Sequence, residues 1–132
     1  MIPRPHENPV VITGAGGFVG RHLAERLVQE GVPVIASDLR DPNIAGTRFV
    51  PCDIRDRAGC EQLVQSARTV YHVASMVQTK QSGAEPVWAV NHGGTRNLLA
   101  ASQAQGVQRF VYVSSTSVVY QSKDIEHSDE SL

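Results

Sequence analysis

The chain has little that would place it in a membrane or against a polyanion. No apolar run approaches the roughly 18 residues of a membrane span, and the N-terminal MIPRPHENP carries prolines and charge where a signal peptide has an apolar core. Twelve Lys and Arg against 13 Asp and Glu leave a formal net charge of -1, so nothing electrostatic points to nucleic acid or an anionic surface. The two cysteines, Cys52 and Cys60, match neither a metal-ligand spacing nor a redox Cys-x-x-Cys. Two also make no disulfide framework, so they read as packing residues of a cytoplasmic protein. There is no internal repeat and no low-complexity tract. Small-molecule partners remain the default expectation.

What is present fits one domain: 132 residues bury one core but do not make separate cofactor and substrate domains. Five short β-branched or aromatic runs bounded by Gly, Pro, Asp or Ser read as strands: Pro9–Thr13, Pro33–Ser37, Thr47–Pro51, Thr69–Ala74 and Gln108–Ser115. Between the first two, Phe18, Leu23, Leu27 and Val28 repeat at helical spacing up to Gly31. Leu63 with Ala67, and Val90, Leu98 and Leu99 before Gly106, mark two more helices. Strands alternating with helices, and near-continuously apolar, predict a doubly wound α/β fold with a parallel sheet covered on both faces. Organised sequence is expected over residues 9–120, with a short tail over 1–8 and a polar tail over 121–132.

The stretch VITGAGGFVG runs from an apolar strand into four glycines and a helix. Such a turn aims backbone N–H groups and the positive end of a helix dipole at one spot, which suits a phosphate. In the dinucleotide-binding version Gly14 makes the tight turn, Gly17 admits the pyrophosphate and Gly20 lets the helix pack close. A bare strand-to-helix turn is the plainer alternative. The second strand ends in Asp38, eighteen positions after Gly20, where a carboxylate accepts bonds from the adenosine ribose hydroxyls. It would repel a 2′-phosphate, favouring NAD over NADP, although the nearby Arg40 offers the opposite charge. Asp53 stands after the third strand, either reaching the adenine amino group, with Ile54 over the ring, or capping the next helix.

With these pieces in place, residues 8–120 resemble an extended short-chain dehydrogenase/reductase, the group of nucleotide-sugar epimerases, dehydratases and 3β-hydroxysteroid dehydrogenases. TGAGGFVG matches that family's TGxxGxxG, and VNHGGTRNLLAAS matches its Val-Asn-x-x-Gly-Thr-x-Asn-Leu-Leu helix. The resemblance implies a Rossmann-type NAD site that includes Phe18, Val19, Leu39 and Arg40 beside the glycines and Asp38. It also implies that His72, Val73 and Ala74 line the cofactor, mostly through main chain, although His72 on its own reads equally as a satisfied strand-end histidine. Asn91 matches the family's helix asparagine, carried over as a support residue at the cofactor site.

RFVYVSSTSVVY is similar to the family's fifth strand, which ends in a hydroxyl that bonds the reacting substrate oxygen. That position is Ser115, or Thr116 or Ser117 if the register slips, and SSTSVV looks nearest to the sterol-dehydrogenase branch. The implied activity is hydride transfer between NAD and a secondary alcohol or ketone of a sterol-like or nucleotide-sugar substrate. The family moves the proton with a Tyr-x-x-x-Lys pair that this chain lacks; Tyr120 with Lys123 is one residue too close. The expectation is therefore the cofactor-binding part of such an enzyme, truncated before a sixth strand and inactive alone. The alternative is a stand-alone dinucleotide-binding or interaction module. An open apolar edge along Phe110 to Val113 predicts a homo-oligomer.

Overall fold

The computed structural model describes residues 8–119. The tail before Asn8, Tyr120, Lys123 and the polar tail at 121–132 lie outside the described residues. The order is β1 (Val10–Thr13), α1 (Phe18–Gln29), β2 (Val34–Ser37), β3 (Arg48–Phe49), α2 (Arg57–Val64) and β4 (Thr69–His72). A broken helix follows: α3 (Glu85–Trp88), a π-helical turn over Ala89–Gly94, and α4 (Thr95–Ala104). Strand β5 (Arg109–Tyr112) and a 3-10 turn over Thr116–Val119 complete it.

The five strands form one parallel sheet in the order β3-β2-β1-β4-β5, the expected doubly wound α/β topology. All four residues of β1 and of β2 are buried, because helices cover both faces. Alternate side chains divide between two clusters. Val11, Ile35 and Val70 pack with Cys60, Leu63, Val64, Leu98 and Ala101 of α2 and α4. Val10, Ile12, Val34 and Ala36 pack with Ala24 of α1 and with Ile44.

Several sequence expectations change. Strand β3 has two residues rather than five, and the loop that brings it beside β2 holds Asn43 at a φ of 52°. Phe18 is 81% exposed at the start of α1, so it is not part of that helix's core stripe. Leu99 is likewise exposed, while Leu98 is fully buried. Strand β5 ends at Tyr112, three residues before Ser115. It pairs only with β4 among the described residues, and Tyr112 and Val113 are about half exposed.

Candidate functional site

The strand order reverses between β1 and β4, and a crevice opens there beyond the carboxyl ends of the strands, the usual ligand position in such sheets. It is a cavity of about 710 Å3, within the usual range for small-molecule sites. The C-terminal ends of β1, β2 and β4 and the loop after β3 all contribute to it: Thr13 and Gly14, Ser37 and Asp38, Cys52 to Arg55, and Val73 to Met76.

The glycine turn is held by its own backbone. Gly14 has a φ of 66°, and a Cβ there would meet the backbone of Ala74 at 2.7 Å. A Cβ on Gly20 would overlap the Gly14 carbonyl, so α1 starts as close to β1 as main chain allows. Gly17 is the N-cap of α1, and no side chain caps that end or places an acid in its first turn. With Gly17, Phe18 and Val19 on the cavity wall, the first-turn N–H groups are left facing it.

Asp38 is fixed on this turn. Its Oδ2 accepts the Gly16 N–H at 2.9 Å and its Oδ1 accepts the Leu39 N–H at 2.8 Å. Each oxygen keeps lone pairs for a further donor. The Arg21 guanidinium donates to the Pro42 carbonyl and ties α1 to the loop after Asp38. Asp53 does not cap α2. Asp56 does, accepting the Ala58 N–H at 3.1 Å, while Asp53 accepts a fork of bonds from Arg55. That guanidinium holds the Asp53 carboxyl below the usual carboxylate range. Asn97 donates to the Ile54 and Arg55 carbonyls, both at 3.0 Å, and stitches this loop to α4. Ile54 itself packs on Gly94 of the π-helical turn, where a Cβ would stand 2.5 Å from its Cδ1.

A buried relay lies directly beneath the cavity floor. His72 is fully buried, with Nδ1 at 2.8 Å from Thr13 Oγ1 and Nε2 at 2.8 Å from Thr95 Oγ1. Thr95 donates its only hydroxyl hydrogen to the Asn91 carbonyl at 2.7 Å, so it accepts from His72 Nε2–H. Thr13 Oγ1 accepts the Val73 and Ala74 N–H groups at 3.1 and 3.2 Å, so its hydrogen goes to Nδ1. The imidazole is therefore neutral with its proton on Nε2, and burial pushes its pKa down to about 4. Asn91 completes the support: its side-chain amide accepts the Met76 N–H and donates to the Met76 carbonyl, both at 2.8 Å.

The structure thus brings Gly14, Gly17, Phe18, Val19, Asp38, Leu39, Asp53, Ile54, Val73 and Ala74 onto one cavity. Other sequence candidates stand elsewhere. Gly20 packs behind the turn, His72 is satisfied inside the relay, and Asn91 braces the Met76 segment, so none of these three lines the cavity. Arg40 is exposed and also off the wall. Ser115, Thr116 and Ser117 are exposed beyond β5, and the Ser115 hydroxyl accepts the Ser117 N–H at 3.2 Å. Sequence reasoning missed Thr13, Gly16, Cys52, Met76 and Thr95. Gly16 stood inside the glycine motif, whereas the Thr13 and Thr95 roles depend on tertiary neighbours. Among the described residues no group of three or more His, Cys, Asp or Glu is placed to hold a metal, and no helix is long and apolar enough to cross a membrane.

Comparison with known proteins agrees with this architecture. Residues 10–132 match the model of the NAD dependent epimerase/dehydratase family. The chain is 41% identical to short-chain dehydrogenase/reductase family 42E member 1 of Mus musculus, over 98% of this chain and 35% of that protein. It is 37% identical to a 3 beta-hydroxysteroid dehydrogenase/Delta 5-->4-isomerase of Mycobacterium tuberculosis, over 93% of this chain and 36% of that one. Among solved structures, a short-chain dehydrogenase/reductase superfamily protein of Agrobacterium tumefaciens with bound NAD superimposes with a TM-score of 0.77 at 32% identity, over 83% of this chain and 33% of that chain. The chain therefore spans about a third of the length of these relatives. With its glycine turn, switch-point cavity and family-model match in agreement, the chain belongs to the NAD-dependent epimerase/dehydratase family of extended short-chain dehydrogenases/reductases.

Proposed function

We propose that this chain is the NAD-binding part of an oxidoreductase or epimerase/dehydratase that moves hydride at a secondary alcohol or ketone carbon. The observation that carries the reading is the Asp38 carboxylate, fixed by two backbone N–H groups at the edge of a glycine turn whose first helical amides face the same cavity. At Gly14 and Gly17 the cavity wall is main chain rather than side chain, which supports the reading by leaving a pyrophosphate room beside the start of α1.

When bound, the nicotinamide supplies or accepts the hydride. The protein's own residues divide the remaining work. Gly14, Gly17 and the first turn of α1 hold the pyrophosphate by backbone N–H groups and helix dipole. Asp38 takes the adenosine ribose hydroxyls, and Asp53 and Ile54 take the adenine. Val73 and Ala74, held by Thr13, support the nicotinamide side. Ser115, or Thr116 or Ser117, orients the substrate oxygen. The substrate class is sterol-like or a nucleotide sugar, in line with a relative named as a 3 beta-hydroxysteroid dehydrogenase and with a structural neighbour described as bound to UDP-glucose and NAD.

Calorimetric titration of the chain with NAD and with NADP tests the reading. NAD binds more tightly, and Asp38→Ala narrows the difference, because the carboxylate that repels a 2′-phosphate is gone. Equal affinities in the unmutated chain would transfer the role to Arg40.

A further inference from the structure

Three side-chain hydroxyls stand on the cavity wall, and they are not equally available to a ligand. Thr13 is 1% exposed, and its hydroxyl is fully engaged, accepting the Val73 and Ala74 N–H groups and donating to His72. Ser37 is also 1% exposed. Ser75 is the exposed one, and among the described residues its hydroxyl makes no hydrogen bond.

Ser75 follows β4 in a stretch that is neither helix nor strand, yet both of its neighbours are pinned. On one side the Ala74 N–H donates to Thr13 Oγ1 at 3.2 Å, and a Cβ on Gly14 would stand only 2.7 Å from the Ala74 Cα. On the other side Asn91 of the π-helical turn accepts the Met76 N–H and donates to the Met76 carbonyl, both at 2.8 Å. Strand β1, the glycine turn and the broken helix thus fix the backbone on either side of one residue. A hydroxyl carried on so fixed a backbone gives up little further freedom when it bonds a ligand.

Position on the wall decides which part of a ligand this hydroxyl meets. The charged side chains Asp38, Asp53 and Arg55 all come from the loops after β2 and β3. The wall that follows β4 and the wall from the broken helix hold Val73, Ala74, Met76, Pro86 and Val90, none of which carries a strong hydrogen-bonding side chain. Polar atoms of a ligand at that end have the Ser75 hydroxyl and main chain to bond.

We propose that the Ser75 hydroxyl is a cofactor-binding group that hydrogen-bonds the nicotinamide riboside half of NAD. The proposal rests on the cavity being the NAD site with its nicotinamide side at Val73 and Ala74. A serine hydroxyl has one hydrogen to donate and two lone pairs to accept with, which suits both the ribose hydroxyls and the ring carboxamide. The adenosine half draws instead on Asp38 and Asp53. The role is also separate from that of Ser115, which is assigned to the substrate oxygen and whose hydroxyl accepts the Ser117 N–H away from this wall.

Calorimetric titration of the 132-residue chain with NAD and with ADP tests the contact, because ADP carries the adenosine and two phosphates without the nicotinamide riboside. Ser75→Ala is expected to weaken NAD binding about fivefold while ADP binding stays within about twofold of wild type, and Ser75→Thr, which keeps the hydroxyl, is expected to hold NAD close to the wild-type affinity. The side chain is exposed, so the Met76 amide should keep its protection from hydrogen exchange in both variants. ADP-ribose adds a finer arm. A loss in Ser75→Ala that ADP-ribose shares assigns the bond to the ribose, and a loss confined to NAD assigns it to the carboxamide; either bears out the proposal. Unchanged NAD affinity in Ser75→Ala, equal weakening of NAD and ADP, or a Ser75→Thr variant as weak as Ser75→Ala would overturn it. If wild type binds neither NAD nor ADP, the cavity assignment falls and takes the contact with it, whereas binding of both with Ser75→Ala unchanged removes the contact alone.

Discussion

Acidification between about pH 6.5 and about pH 4 should destabilise the fold through one residue, His72. In the unfolded chain a histidine titrates near 6.5; in the folded one, burial pushes His72 down to about 4. Between those values the unfolded state binds a proton that the folded state refuses, so stability falls as pH falls. The contribution is complete above about pH 6.5 and lost by about pH 4, a gap worth about 3 kcal/mol. A small domain has only about 5–15 kcal/mol in total, so the effect is large. The relay explains why a proton finds no place: Nδ1 receives the Thr13 hydrogen, and a protonated ring would set two donors against each other. Asp53 contributes in a different window. Its carboxyl is held low by Arg55, so what it adds is lost only below the usual carboxylate range.

The assay is urea unfolding followed by circular dichroism across that pH range, for wild type and His72→Gln. The variant should start less stable at neutral pH, having lost part of the relay, but its stability should be nearly flat down to about pH 4.5. Imidazole nitrogen shifts of folded wild type supply a second readout, showing a neutral ring protonated at Nε2 through about pH 5. Wild type and variant with the same slope, or a His72 ring titrating near 6.5 in the folded chain, would refute the reasoning.

Four further outcomes follow from the same geometry. Gly20→Ala should lower unfolding free energy by about 3 kcal/mol in urea, since its Cβ meets the rigid Gly14 backbone; an unchanged midpoint would show that the turn yields. Asn91→Ala should free the Met76 amide, raising its hydrogen exchange about tenfold or more while distant strands stay protected. Ser102→Ala should stabilise the chain by about 1 kcal/mol, because the buried Ser102 hydroxyl has no hydrogen-bond partner; thermal unfolding checks the sign. The half-exposed β5 edge should make the chain self-associate, and light scattering that shows a monomer at high concentration would contradict this.

Sequence exposed what depends on near neighbours. Gly14 and Gly20 were legible because a turn opening a helix needs glycine at those offsets, and Asp38 because it closes the next strand. The parallel order followed from strands buried on both faces. Phe18 was misread because helical periodicity cannot tell a core face from a cavity lip at a helix's first residue. His72 stayed ambiguous because its partners, Thr13 and Thr95, are 59 and 23 residues away along the chain. The π-helical turn has no periodic signature in the sequence, yet it sets Asn91 over Met76 and Gly94 against Ile54.

The packing of Ile54 on Gly94 has a consequence for reading inherited or laboratory variation in this chain. Gly94 is buried, lies outside the cavity and carries no polar side chain, so a survey of ligand-contacting positions would pass over it. A single added methyl there must push Ile54 toward the cavity or force α4 away from the loop that Asn97 secures. A Gly94→Ala allele would then present as a loss of cofactor affinity with every cavity residue unaltered, and its overlap would be relieved by Ile54→Ala, which leaves only a Cβ at 3.3 Å, rather than by any change in the ligand's own contacts.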